Sequence, residues 1–236
     1  MSRRRFLGIA IAAVALLAGC APLPPAEGPT APPSPTPSAT ARATPAPSPT
    51  VPAPPTKPAV DDLIVSPAGL GPLLVGAAPP VTDPALDILV FDPAGCPPDQ
   101  GPVPGIWVTN YPDQTYLNGR SGPPFRAAVN DAGVVSRIDV WAEGIATDRG
   151  VTIGSAVADV SAAYPDAIEI VDFERALVYV IRGSTGTLFI EIDTMTDGSA
   201  DDALVGHVTS MRVGGPAVPA YAISNTGNLI NPCTFA

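Results

Sequence analysis

"ALVYVIRGSTGTLFIEIDTM", residues 176–195, is the stretch that decides the fold. Two runs rich in Val, Ile, Leu, Tyr and Phe flank Gly183-Ser184-Thr185-Gly186. β-Branched and aromatic side chains pack well on a pleated surface, and Gly and Ser supply the backbone freedom of a tight turn. The stretch therefore reads as a hairpin with strands over 176–183 and 187–195. Its neighbours repeat the theme. "AIEIVDF" (167–173) lies upstream and "HVTSMRVGG" (207–215) downstream. Earlier come "DILVF" (87–91), "GIWVTNY" (105–111), "FRAAVN" (125–130) and "VVSRIDVWA" (134–142), bounded by Pro, Gly, Asn and Asp. Asn130-Asp131-Ala132-Gly133 has the composition of a hairpin turn.

One segment departs from this pattern. "SAVADVSAAY" (155–164) places Val157, Val160, Ala163 and Tyr164 on one face at helical spacing. Ser155 is the expected N-cap, Asp159 falls near the first turn, and Pro165 ends the helix. The expected class is α+β: antiparallel β-meanders with one or two helices on one face, in two related halves. The halves, 61–143 and 144–236, are suggested by a faint repeat. Ile64–Leu70 echoes Ile145–Val151, with a second glycine following each, at Gly76 and Gly154. Val135–Val140 echoes Val208–Val213. In the first half the helix position reads "AAPPVTDPALD", where prolines leave room only for a short helix.

This organisation, and the G-V-x-I-G-S-x-x-x-D-V segment over 150–160 above all, resembles the tandem helix-plus-meander folds of the β-lactamase-inhibitory-protein type and of small envelope-assembly lipoproteins. The resemblance implies an antiparallel sheet with helices on one face, and a binding surface rather than a catalytic one. None of that family's contact residues has a counterpart here.

Charge narrows the partners. Residues 61–236 hold seven arginines, no lysine and 21 of the 22 acidic residues, a formal charge of −14. Nucleic acids and anionic membrane faces are bound through Lys and Arg, so neither is an expected partner of the domain. Catalytic motifs are missing. His207 is the sole histidine and no G-x-S-x-G accompanies it, so a Ser-His-Asp triad has no basis. One histidine and three cysteines do not make a zinc site, and there is no P-loop or dinucleotide fingerprint. No cofactor or metal is expected. If a cation binds, the hard oxygens of the acidic loop, Asp193, Asp197 and Asp201, are where Ca²⁺ would find ligands, although the EF-hand series is absent. Trp107, Tyr111 and Tyr116 are the expected partner-binding residues, with Phe125 in the same aromatic cluster, because rigid aromatic faces anchor protein or sugar partners.

The N-terminus gives an address. In "MSRRRFLGIAIAAVALLAGC" three arginines precede an apolar run of 13 residues, Phe6–Ala18. A membrane-crossing helix needs ~20 residues, so the run reads as the core of an export signal. Leu17-Ala18-Gly19-Cys20 resembles a bacterial lipobox, which implies cleavage before Cys20 and diacylglycerol on its thiol. Ser2–Leu7 resembles a twin-arginine export signal. Two acyl chains anchor a protein stably. The expected layout is a signal peptide (1–19), a lipidated Cys20 leading a proline-rich tether (20–60), and an extracytoplasmic domain (61–236). The tether holds 15 prolines in residues 21–60, which keeps it extended, at ~3.1 Å per residue. With Cys20 lipidated, Cys96 and Cys233 remain as a pair, expected to form a disulfide in an exported protein. The expected role is a non-enzymatic binding module in the cell envelope, anchored to the membrane through Cys20 and recognising an envelope protein or glycan. The alternative is an envelope hydrolase using acidic residues.

Overall fold

The 176–195 stretch forms a hairpin in which Ala176 faces Asp193 and Arg182 faces Thr187. The Gly183 N–H closes the turn on the Gly186 carbonyl at 2.8 Å. The computed structural model describes residues 55–96, 105–172, 176–195, 204–216, 218–221 and 230. They all fall within a compact unit, Pro52–Ala236; Met1–Val51 lies outside the described residues.

In chain order the strands are β1 (Ile64–Ser66), β2 (Gly69–Leu70), β3 (Leu73–Leu74), β4 (Leu89–Asp92), β5 (Ile106–Thr109), β6 (Gln114–Thr115), β7 (Ser121–Gly122), β8 (Phe125–Val129), β9 (Val135–Val140), β10 (Ala146–Thr147), β11 (Ile168–Asp172), β12 (Ala176–Arg182), β13 (Thr187–Asp193) and β14 (Val208–Gly214), with α1 (Val157–Ala163) between β10 and β11. The fold is α+β and mostly antiparallel sheet. Its main sheet runs β11-β12-β13-β14-β9-β8, every pair antiparallel. The β4–β5 ribbon lies beside β8, where the Thr109 hydroxyl donates to the Phe125 carbonyl. A small sheet, β10-β1-β2-β3, contains the parallel pair β1–β10.

All eight expected strands form, with differences at their ends that have local causes. β4 begins at Leu89 rather than at Asp87 because the buried Asp87 carboxylate accepts from the Thr82 N–H (3.0 Å) and hydroxyl (2.9 Å), holding that residue in a turn. The prolines of 77–87 leave no second helix there, only a turn in which the Asp87 N–H reaches the Asp83 carbonyl. Asn130 turns the chain as expected: its side-chain oxygen accepts from the Ala132 N–H and its carbonyl from the Gly133 N–H.

The N-cap of α1 is Ala156, not Ser155. Ser155 turns its hydroxyl back to accept the Thr152 N–H at 3.0 Å, and the Asp159 carboxylate serves the Ala156 N–H instead. The expected apolar face is the one buried: Val160 and Tyr164 are in the core, with Val157 and Ala163 packed against it. The Tyr164 hydroxyl donates to the Asp148 carboxylate at 3.0 Å. Burial, reinforced by that carboxylate, pushes the Tyr164 phenol up to about 12. An unfolded tyrosine ionises near ~10, so this residue's contribution to stability is complete below that value and is lost as pH rises through the folded one. We expect Tyr164→Phe to remove a tyrosinate absorbance step near pH 12 and to flatten the alkaline denaturation limb. An unchanged alkaline titration would contradict the burial of this phenol.

The sequence echo has a structural counterpart. The Gly76 N–H donates to the Val135 carbonyl and the Val135 N–H to the Ala77 carbonyl. The Gly154 N–H donates to the Val208 carbonyl and the Val208 N–H to the Ser155 carbonyl, the same pair of bonds at the equivalent positions. Gly76 and Gly154 share a left-handed backbone, with φ of 83° and 88°. The echoing strands β9 and β14 are neighbours, and Asp139 sits directly opposite Arg212, its own counterpart in the echo.

Alternation along these strands gives the sheet two faces. Ile138, Val140, Met211 and Val213 join α1 and the 63–75 segment in the main core. The other face carries Arg137, Asp139, Ser210 and Arg212, beside a smaller cluster of Ala176, Val178, Val180 and Phe189. Val218 and Ala220 pack against that cluster. Arg137 grips the Asp139 carboxylate with two bonds, Nε at 2.7 Å and Nη2 at 2.6 Å, and its Nη1 donates to the Tyr221 hydroxyl. The Arg212 guanidinium lies 4.4 Å from the Phe189 ring centre and 3.8 Å from that of Tyr221, and donates to the Tyr221 carbonyl. Among the described residues its Nε and Nη1 are buried without a hydrogen-bond partner.

Candidate functional site

The main sheet ends at β8, and β5 of the neighbouring ribbon lies beside that edge without pairing to it, leaving a gap. Pro123 and Pro124 directly precede β8 and Pro112 follows Tyr111, outside both strands. A cleft of about 300 Å³ opens at this gap, lined by Trp107, Thr109, Tyr111, Asp113, Arg126 and Ile230 among others. Trp107, Thr109 and Tyr111 alternate along β5 and its continuation, which turns them to one side.

Each wall of the cleft is braced. Phe91, paired with Trp107 across the ribbon, meets its ring edge-on at 5.5 Å and 62°. This needs the adjacent Gly105, since a Cβ there would fall 2.2 Å from the Phe91 ring. Tyr111 meets Phe125 edge-on at 6.1 Å and donates its hydroxyl to the Pro58 carbonyl at 2.8 Å. The Lys57 ammonium sits 4.7 Å above the Tyr111 ring and donates to the Asn110 carbonyl. Lys57 and Pro58 therefore belong to the fold, although sequence reading placed them in the tether. Burial raises the Tyr111 phenol above its usual range, with the Asp62 carboxylate adding to the effect. Arg126 reaches across from β8: its Nη1 donates to the Ile230 carbonyl at 2.9 Å and its guanidinium lies 5.8 Å from the Trp141 ring centre.

Of the expected aromatic residues, Trp107 and Tyr111 meet in the cleft. Tyr116 stands behind it, donating its hydroxyl to the carbonyl of Pro123, a lining residue, at 2.7 Å and leaning on Trp141. Burial raises its phenol as well. Phe125 is wholly buried and braces the core rather than a partner. Sequence reading missed Arg126, Asp113 and Ile230. Arg126 did carry a signal, as the single charge in the run "FRAAV". The other two come together with it only through the path of the chain.

The remaining expectations fall elsewhere. Asp193 closes a local turn, accepting the Met195 N–H at 2.9 Å, while Asp197 and Asp201 lie outside the described residues. Glu191 is buried in the sheet. Among the described residues no group of three or more His, Cys, Asp or Glu is placed to hold a metal. His207 sits with Nδ1 3.1 Å from the Val205 carbonyl. Cys96 is disulfide-bonded, and Cys20 and Cys233 lie outside the described residues. No helix among the described residues is long and apolar enough to cross a membrane.

No family model matches the chain, and no curated protein matches it. Among solved structures, the uncharacterised protein yfeY from Escherichia coli is similar to it, with 22% identity over 64% of this chain and 99% of that one, at a TM-score of 0.34.

Proposed function

We propose that this chain is a lipoprotein of a bacterial envelope, anchored on the extracytoplasmic face through diacylglycerol on Cys20, which binds an envelope glycan or protein without turning it over. The cleft between β5 and β8 supports this reading best. It presents two braced aromatic faces and a fixed guanidinium, as recognition sites do. Among the described residues Asp113 is the one acidic group lining it, where a hydrolase would use a facing carboxylate pair. The opening stretch, with its arginines, short apolar run and lipobox-like end, supports the anchor.

Expression of the full-length chain in a bacterial host, followed by fractionation and capture of bound envelope material, tests both parts together. The intact chain is expected in the membrane fraction, with one dominant glycan or protein retained. Cys20→Ala should release it from the membrane. Trp107→Ala should leave it there but lower the retained material at least ~10-fold, the scale of a hot-spot aromatic. An intact chain that is soluble, or retention indifferent to Trp107, would overturn the corresponding part.

A further inference from the structure

The position of Arg126 narrows what the cleft can hold. Its guanidinium is fixed at one corner by the Ile230 carbonyl and from one side by the Trp141 ring. Among the described residues its Nε and Nη2 donate to no protein group. These two nitrogens form the edge of the guanidinium that grips a carboxylate with parallel hydrogen bonds. The adjacent strand shows that geometry in use: Nε and Nη2 of Arg137 hold both oxygens of Asp139. Arg126 is the cross-strand neighbour of that same Asp139, but Arg137 occupies its carboxylate. Thus in a domain with a strong excess of acids, Arg126 lines the cleft while, among the described residues, its Nε and Nη2 have no protein acceptor.

The other lining groups select what carries that carboxylate. Trp107 and Tyr111, both half-buried in the cleft wall, bring aromatic rings against which the C–H face of a pyranose ring stacks, one face of Tyr111 being taken by the Lys57 ammonium. Asp113 offers an acceptor for ring hydroxyls, and its charge disfavours a dianionic phosphate. Building on the binding reading above, we propose that the cleft recognises a carboxylate-bearing sugar chain. Arg126 takes the acid group in two parallel hydrogen bonds, Trp107 and Tyr111 stack on the ring, and Asp113 accepts from its hydroxyls.

Calorimetric titration of the full-length chain with galacturonic acid trisaccharide, and with the neutral galactose trisaccharide of the same linkage, provides the test. We expect the acidic sugar to bind at least tenfold tighter than the neutral one. Arg126→Gln should abolish that preference, and Arg126→Lys, which keeps the charge but not the parallel pair of donors, should restore it only in part. Trp107→Ala should weaken both sugars alike. Melting temperatures of the variants identify any that fail to fold, and Trp107→Ala leaves the Arg126 contacts untouched as a second probe. Equal affinity for the two sugars, with both lost in Trp107→Ala, would overturn the acidic ligand while leaving the binding cleft intact. Binding of neither sugar would overturn the sugar proposal. Retention of a protein from the envelope would then point to a peptide ligand, and no retention at all would remove the binding reading too.

Discussion

Asp139→Ala is expected to destabilise the fold by about 3–5 kcal/mol, the usual result of removing one partner from a buried ion pair. The Asp139 side chain is 0% exposed and its partner Arg137 is 12% exposed. Arg212, directly across the strand, is 1% exposed and, among the described residues, already has two unpartnered nitrogens. Truncation therefore leaves two guanidiniums facing one another's field with their shared carboxylate gone. Burial holds the Asp139 carboxyl above its ordinary value even though Arg137, Arg212 and the Ile230 backbone all pull it down, and burial likewise lowers Arg212. Desolvation thus outweighs attraction, so the pair itself is not a net source of stability. The sign with pH follows. Between the unfolded and the raised folded value the native state binds the proton more tightly, so this residue's effect on stability improves as pH falls through that window. Urea denaturation at neutral pH measures the mutant loss. A change under about 1 kcal/mol would mean that water reaches Arg137 and Arg212 freely, contrary to their burial.

Gly69→Ala should cost a comparable amount. Its φ is +154°, and an added Cβ would lie 2.0 Å from the Leu73 carbonyl oxygen and 2.9 Å from the Leu74 Cα. Both are backbone atoms of β3, paired directly across from it, so no flexible side chain can yield. A disallowed conformation costs about 1–3 kcal/mol and overpacking about as much again. The echoing glycine provides the control. Gly150 also has a positive φ, +79°, but nothing lies within 4 Å of its added Cβ. Gly150→Ala should lose only the conformational part, about 1–2 kcal/mol. Equal thermal-melting losses in the two variants would argue against the close approach of β2 and β3.

The elements that were legible in the sequence are those set by local chemistry. The hairpin at 183–186, the turn at 130–133 and the apolar face of α1 follow from residue types within a few positions of each other. The N-cap did not, because Ser155 had two hydrogen-bonding options and tertiary packing chose Thr152. The cleft was half legible. Trp107 and Tyr111 share a strand face at even spacing, so their clustering could be read directly. Tyr116 and Phe125 have the same residue chemistry and could not be sorted into brace, core or contact without the fold. Arg126 and Ile230 are 104 positions apart, and no local pattern joins them. The burial of Asp139 and Arg212 was equally hidden, since charged side chains in short alternating strands ordinarily face water.

The placement of Asp139 opposite Arg212 also decides which edges can meet. Because each is the other's counterpart in the echo, pairing two copies of the same strand edge would set like against like. Two β9 edges would bring aspartate against aspartate, and two β14 edges arginine against arginine, both under a covered face where water cannot screen them. Only β9 against β14 places opposite charges at that contact. The central seam thus works as a polarity key. It favours β9 against β14 over like-with-like edge pairing between chains, and it does so through repulsion in the wrong pairings more than attraction in the right one.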